Sequence, residues 1–342
     1  MSRLTLALDI MGGDNGPHII FPAVLKSLQQ TPHLHVILCG PLAILSSWYE
    51  QQNTDIQQRI TLSYCSQIVE MDEAPAHALR HKKDSSMRRV LDLVNDNQAD
   101  ACVSAGNTGA LLSMAYYVLK TLPGIDRPAL ISLIPTANNG KVYLLDLGAN
   151  LHCNSEILFQ YAVMGSVLAQ QVGQISQPRV ALLNVGAEEI KGNDQVKQTA
   201  LLLNQCTSIN YIGYIEGNDI FSQKADVIVT DGFVGNIALK SWEGLANFII
   251  QELKSASKHN LLYKLVAKIA KPVFRRIILR MKPDQYNGAS LIGLRGIVVK
   301  SHGNASSEAF LYAIREAIQQ AEMQVSDKIK NKIEAVLMER HE

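Results

Sequence analysis

The sequence predicts an α/β fold built on a largely parallel sheet, and two observations carry that prediction. Short apolar runs suited to strands alternate with stretches of helical spacing, most of them 15 to 30 residues long, the pattern of repeated βαβ units. Five of the runs end alike, with Gly, Asn or Asp following the last apolar residue. Open α/β sheets bind ligands beyond the carboxyl ends of their strands, so these loops are expected along one edge, around one crevice.

In chain order the runs are LTLALDIM, LHVILCG, ITLSYC, ADACVSAG, ALISLIPT, KVYLLDLG, RVALLNVG, INYIGYI, ADVIVTDG and GIVVKSHG. No Pro/Gly/Ser-rich linker, internal repeat or low-complexity segment divides the 342 residues. Residues 1–342 therefore read as a single domain, with a helical arm inserted over 245–285. The uncharged stretch Ile157 to Pro178 is long enough to raise the question of a membrane span. Gln160, Gln170, Gln171, Gln174 and internal glycines make it a packed amphipathic helix instead.

Composition bounds the function. Hydrophobic residues make up 47% and charged residues 18% of the chain, as in a soluble enzyme. Cys39, Cys65, Cys102, Cys153 and Cys206 are odd in number and form no C-x-x-C pair, so they read as free buried thiols in a reducing compartment. The N-terminus is a strand interrupted by Asp9 and not a signal peptide, which gives a cytoplasmic expectation. A net charge of +1 argues against a nucleic-acid binder. The charge is unevenly spread: nine basic and no acidic residues fall between 253 and 283, which leaves an excess of eight acids elsewhere. That segment suits an acidic partner.

The first run ends in DIMGGDNGP. Asp9 lies inside the strand pattern, and Gly12, Gly13 and Asp14 follow in a loop that turns into a helix at Pro17. The two readings of Asp9 are a turn cap and a site carboxylate that positions a lysine or a phosphate-bound donor. In SAGNTGA, small residues let backbone N–H groups face a concavity at a helix N-terminus, with Ser104, Asn107 and Thr108 as further donors; the alternatives are a phosphate site and an ordinary helix cap. NVGAEEIKGN places Asn184 and Lys191 at a strand end, where a lysine either is solvated or stabilises an anion. TDGFVGNIALK repeats the strand, glycine loop and helix, with Gly232, Asn236 and Lys240 as a second polar group. His77 and His81 are spaced for a metal on one helical face, but no third ligand is evident, and no metal or other cofactor is expected. G-x-G-x-x-G, the P-loop pattern and G-x-S-x-G are all absent, which disfavours dinucleotide, P-loop NTPase and serine-elbow chemistry.

Within the arm, KHNLLYKLVAKIAKPVFRRIILRMK reads as two amphipathic helices joined at Pro272. Leu262, Ile269 and Ile277 lie on the apolar side, and Lys264, Lys268 and Arg276 opposite. Such a unit either lies on an anionic membrane or buries its apolar face between two subunits, and both can hold at once.

LDIMGGDNGP, LRHKKDSSM, SAGNTGA, DRPA, LDLGAN, GAEEIKGN, DGFVGN with Lys240 and Glu243, and SHGNAS occur here in order. In these motifs the chain resembles the bacterial phosphate acyltransferase family, the acyl carrier protein:phosphate acyltransferases of phospholipid synthesis, from Leu4 to about Ile318. The resemblance implies a three-layer α/β/α sandwich like the isocitrate and isopropylmalate dehydrogenases, and a homodimer peripherally attached to the membrane. It implies transfer of a fatty acyl group from acyl carrier protein to inorganic phosphate. Phosphate is then the nucleophile and the thioester is already activated, so the protein supplies alignment and oxyanion donors. Catalytic roles are expected for Lys191, Asn236, Lys240 and Asp9. Substrate contacts are expected from Gly12, Gly13, Asp14, Ser104, Asn107, Thr108, Asn184 and Gly232, and, through the shared motifs, from Lys83, Ser85, Asn150 and His302. The rival readings are a phosphotransacetylase using coenzyme A, a dehydrogenase of the same fold and a membrane adaptor without catalysis.

Overall fold

Each of the ten apolar runs forms a strand in the computed structural model, which describes residues 3–256, 268–270, 272, 274–275 and 287–340. In chain order the strands are β1 (Leu4–Asp9), β2 (Leu34–Gly40), β3 (Ile60–Tyr64), β4 (Ala101–Ser104), β5 (Ala129–Pro135), β6 (Lys141–Leu145), β7 (Val180–Leu183), β8 (Tyr211–Ile215), β9 (Val227–Val229), β10 (Ala289–Ile292) and β11 (Ile297–Lys300). They join in one sheet, ordered β3-β2-β1-β4-β11-β10-β5-β6-β9-β7-β8.

The helices are α1 (Pro17–Gln30), α2 (Leu42–Tyr49), α3 (Thr54–Gln57), α4 (Pro75–His81), α5 (Ser86–Asn95), α6 (Thr108–Leu119), α7 (Ser155–Gln171), α8 (Asp194–Gln205), α9 (Gly232–Ala256), α10 (Ser307–Glu322) and α11 (Val325–Glu339). Strand alternation sorts them into layers, because successive side chains point to opposite faces. Ala7, Cys102 and Val298 face α5 and α6, where Val90, Leu91, Leu111 and Met114 pack, and Leu144 and Ile228 extend the same cluster, against which Leu239 and Trp242 of α9 pack. On the other face, Leu6, Leu8, Val103 and Val299 meet Ile20, Val24, Phe310 and Ile314 of α1 and α10. Farther along that face, Tyr143, Leu145, Val180 and Val229 meet Phe159, Tyr161, Leu203, Ile329 and Ile333. The result is the expected three-layer α/β/α fold.

Strand direction departs from the expectation of one common edge. The strands β3, β2, β1, β4 and β11 are mutually parallel, and so are β6, β9, β7 and β8. Between the blocks, β10 is antiparallel to both β11 and β5, and β5 is antiparallel to β6, so the blocks run in opposite directions. The links from Pro135 to Lys141 and from Ile292 to Ile297 are too short for crossovers, so each reverses the chain, and the antiparallel pairing of β10 with β5 makes the reversals odd in number. Twist of about 20–25° per strand pair accumulates over the six steps from β1 to β9 to roughly 120–150°, which offsets most of it. Two sets of carboxyl-end loops result, after β1, β4 and β11 and after β6, β9 and β7. His302, after β11, reaches across to α9, with Nε2 3.6 Å from Glu243 Oε1.

Two helices also differ from their predicted form. The amphipathic helix expected between Ile157 and Pro178 is α7, and it is buried around most of its circumference. It lies between the sheet, α8 and α11, and Gly165 admits the sheet so closely that a Cβ there would stand 2.7 Å from Val227 Cγ1. Among the described residues, no helix is long and apolar enough to cross a membrane. The start of the predicted arm continues α9, on which Phe233, Ile237, Leu245 and Phe248 are exposed. Lys268 and Ile269 are helical and exposed, whereas Leu262, Lys264, Arg276 and Ile277 lie outside the described residues. All five cysteines are free and buried.

The helix α10 docks on α1 through Phe310, which is wholly buried. Phe310→Ala should destabilise the protein by about 3–5 kcal/mol, read as a lower denaturant midpoint with an unchanged slope.

Candidate active site

Alternation places three polar side chains together at the carboxyl ends of adjacent parallel strands. Asp9, Ser104 and Lys300 fall in phase with Ala7, Cys102 and Val298, so all three point to the α5 and α6 face. Register aligns them, since Lys300 pairs with Ser104, and Leu8 with Val103 one residue earlier. Ser104 Oγ donates to Asp9 Oδ2 at 2.6 Å, and Met11 N donates to Asp9 Oδ1 at 3.2 Å. Burial pushes the Asp9 carboxyl up, while hydrogen bonds from Ser104, Ser86, Met11 and Gly12 pull it back. Lys300 Nζ donates to Ala105 O at 3.4 Å and to Ser301 O. Burial draws this ammonium down to about 8, against the carboxylates of Asp9 and Asp14, which raise it.

The glycines let the loops above this row touch backbone to backbone. A Cβ on Gly12 would stand 2.6 Å from Gly106 N and 2.8 Å from Asp9 Oδ2. Gly13 has φ +86°, and a Cβ there would stand 2.6 Å from Gly303 O. Asp14 N donates to Gly303 O at 2.8 Å, and Ser301 N to Ser104 O at 2.9 Å. The loops after β1, β4 and β11 thus form one unit at the N-terminus of α6, a place favourable to an anion.

A second buried carboxylate organises the other loops. Asp146 accepts from Leu130 N at 3.0 Å, Gly148 N at 3.2 Å, Ala149 N at 2.9 Å and Asn150 N at 2.7 Å. Burial pushes its carboxyl up, and these donors oppose the shift. Gly232 lets α9 start against this turn, for a Cβ there would stand 2.6 Å from Asn150 O. Asn236, half-buried one turn later, packs on Gly148.

The predicted residues divide between these assemblies and the surface. Asn150 holds its own loop, donating through Nδ2 to Pro128 O at 2.7 Å, Tyr161 Oη at 2.7 Å and Asp146 Oδ2 at 3.3 Å. Asn107 caps α6 by accepting from Ala110 N at 3.0 Å, and its Nδ2 donates to Met71 O and Glu73 O at 2.9 Å each. Thr108 beside it is exposed. Ser85 caps α5, accepting from Arg88 N at 3.2 Å and donating to Lys82 O at 2.7 Å, while Lys83 is exposed. Asn184 ties its loop through Nδ2 to Gly186 O and Lys191 O. Lys191 is exposed and pairs with Glu188 Oε2 at 2.9 Å, which raises its pKa. Lys240 is exposed on α9. His77 Nδ1 lies 2.7 Å from Glu73 Oε1, and its ring stands against His81.

Sequence reasoning passed over Lys300, Asp146, Ser86 and Asn287. Asn287 Nδ2 donates to Ser301 Oγ at 2.7 Å and Ala309 O at 2.8 Å, and its Oδ1 accepts from His302 N at 2.8 Å. Asp146 repeats the position of Asp9, an acid closing an apolar run before glycine, and that parallel was available in the sequence. Ser104→Ala should cost about 1–3 kcal/mol in urea unfolding, because it strips a donor from a buried carboxylate. The loss should shrink as pH falls, since Asp9, raised above the usual carboxylate value, then carries its proton.

Comparison with known proteins agrees with this architecture. A family model described as fatty acid synthesis protein matches residues 4–328. The chain is 61% identical over 340 residues to a phosphate acyltransferase from Pseudoalteromonas atlantica, covering 99% of this chain and 100% of that protein. It is 54% identical over 337 residues to a phosphate acyltransferase from Colwellia psychrerythraea, covering 97% of each. Among solved structures, a phosphotransacetylase from Streptococcus pyogenes superposes with a TM-score of 0.62 at 17% identity over 94% of each chain. A 4-hydroxythreonine-4-phosphate dehydrogenase from Klebsiella pneumoniae gives 0.51 at 14% identity, covering 94% of this chain and 98% of that one, and these two likenesses concern the fold. On the family match and the near full-length identity to its relatives, the chain belongs to the phosphate acyltransferase family and is an acyltransferase.

Proposed function

We propose that the chain moves a fatty acyl group from the thioester of acyl carrier protein to inorganic phosphate, releasing acyl-phosphate for phospholipid synthesis. The observation that carries this reading is the close packing of Gly12 and Gly13 on Gly106 and Gly303, which leaves a backbone-lined floor at the start of α6. Phosphate binds there and attacks the thioester carbonyl. The carbon becomes tetrahedral, its oxygen takes up negative charge, and collapse expels the carrier thiolate. The protein needs no nucleophile of its own. Lys191, on the loop after β7, and Asn236 and Lys240, on α9, are the proposed donors to the oxyanion, with Asp9 holding the opposing loops in register. The basic segment 253–283 is the proposed contact for the acidic carrier and for an anionic membrane, and the exposed apolar side of α9 is the proposed contact between two copies.

Purified protein should release carrier from palmitoyl-acyl carrier protein only when phosphate is present. Release without phosphate would make it a thioesterase, and turnover of the coenzyme A thioester alone would select the rival donor. Lys191→Ala and Asn236→Ala should each lower turnover by about a hundredfold while leaving the unfolding midpoint near that of the wild type. Ile269, exposed on the arm, offers a test of the membrane contact. A triple substitution of Leu262, Ile269 and Ile277 to polar residues should stop flotation with anionic vesicles while sedimentation still shows a dimer, and wild-type flotation should weaken with salt.

A further inference from the structure

We propose that Lys300 is a positioning residue for the phosphate site: its ammonium clamps the glycine turns after β1 and β4 and supplies the positive charge behind the floor on which an inorganic phosphate rests. The proposal rests on the acyl-to-phosphate reading above and adds to it the residue that makes the floor attract an anion.

Its position carries the argument. Lys300 ends the apolar run Ile297–Lys300, in phase with Val298, at a place where a further aliphatic side chain would satisfy the core. It is 7% exposed. Burying an ammonium is expensive unless neighbours compensate, so a lysine at this position calls for a function. Two of its three N–H donors meet Ala105 O and Ser301 O, in the loops after β4 and β11. The peptide that carries Ala105 O ends in Gly106 N, the atom on which Gly12 packs. One side chain therefore braces the β4 and β11 loops directly and the β1 loop through its packing partner. A third N–H remains for another acceptor.

Charge points the same way. Among the described residues, the partners of Nζ are neutral carbonyls and no carboxylate lies at ion-pair distance. The charged groups that face it are Asp9 of β1 and Asp14 of the loop beyond. On the flanking strands, β4 contributes Cys102, whose thiol burial keeps neutral, and β10 (Ala289–Ile292) contributes no ionisable side chain. Burial weakens the negative charge of Asp9, which its hydrogen bonds from Ser104, Ser86, Met11 and Gly12 in part restore, while Lys300 is the cation of the row. That charge is present below about 8 and lost above it. Phosphate gains negative charge as pH rises, so weaker charge attraction in base originates in the protein, and Lys300→Arg, which stays charged, separates this from a change in the ligand's own protonation.

The test is calorimetric titration of inorganic phosphate into wild type, Lys300→Arg and Lys300→Met, at about pH 7 and about pH 9.5. Wild type should lose affinity about tenfold or more between the two, Lys300→Arg should hold its affinity at both, and Lys300→Met should bind about tenfold more weakly at the lower pH. In steady-state assays, Lys300→Met should raise the KM for phosphate while leaving the KM for palmitoyl-acyl carrier protein unchanged. A folded Lys300→Met that binds phosphate like wild type overturns the proposal, as does wild-type affinity that is equal at both pH values. If Lys300→Met fails to fold, the wild-type and Lys300→Arg titrations decide alone. The expected binding pattern without phosphate-dependent release of carrier would sink the acyl-transfer reading and leave the role of Lys300 standing.

Discussion

A carboxylate sealed inside the end of a β-strand must be surrounded by hydrogen-bond donors, and that requirement at Asp9 governs how the first half of the site is built. Asp9 is 1% exposed, and donors reach it from its own turn, from Ser104 on the next strand and from Ser86 at the start of α5. For these to converge, the turn after β1 must fold back within two residues, and only glycine at positions 12 and 13 leaves the space. The sheet register follows from the same demand, because a slip of one residue between β1 and β4 would turn Ser104 to the opposite face.

The second half of the site uses the same device. Asp146 follows the last residue of β6 much as Asp9 closes β1, gathers backbone donors from its own turn, and leaves room for glycines at the start of the helix it abuts. Two oppositely directed blocks thus present two preorganised loop groups, each nucleated by a buried acid. Rigidity of this kind suits a reaction in which the protein contributes alignment more than bond-making.

Much of this was legible in the sequence. The ten strands and the glycine-rich ends follow from period-two runs and turn residues, while β10 escaped because ASLI is four residues long without polar alternation. Strand direction was misread because periodicity reports faces and not polarity. The short link Thr136–Gly140 signalled one reversal, since it cannot hold a crossover, but the opposed blocks depend on β10 and its antiparallel pairing with β5, which no link in the sequence reports. Asn107 was recognisable as both a cap and a site donor, and its amide serves the cap and the 70–73 loop together. Lys300 stayed hidden because a lysine closing a strand ordinarily marks the passage into solvent; only the packing of three loops over it makes it buried.

Strand order also dictates when the molecule can become whole. The strand that carries Lys300 lies between β4 and β10, yet it comes from nearly the end of the chain. During synthesis, β4 therefore waits with an unpaired edge, and the two blocks have no continuous sheet between them until the β10–β11 hairpin emerges and inserts. Contacts separated by almost two hundred residues, such as Ser104 with Lys300, close last and slowly. An open strand edge exposed for that interval is a template for pairing with another chain, so nascent copies stand to gain from a chaperone that covers β4.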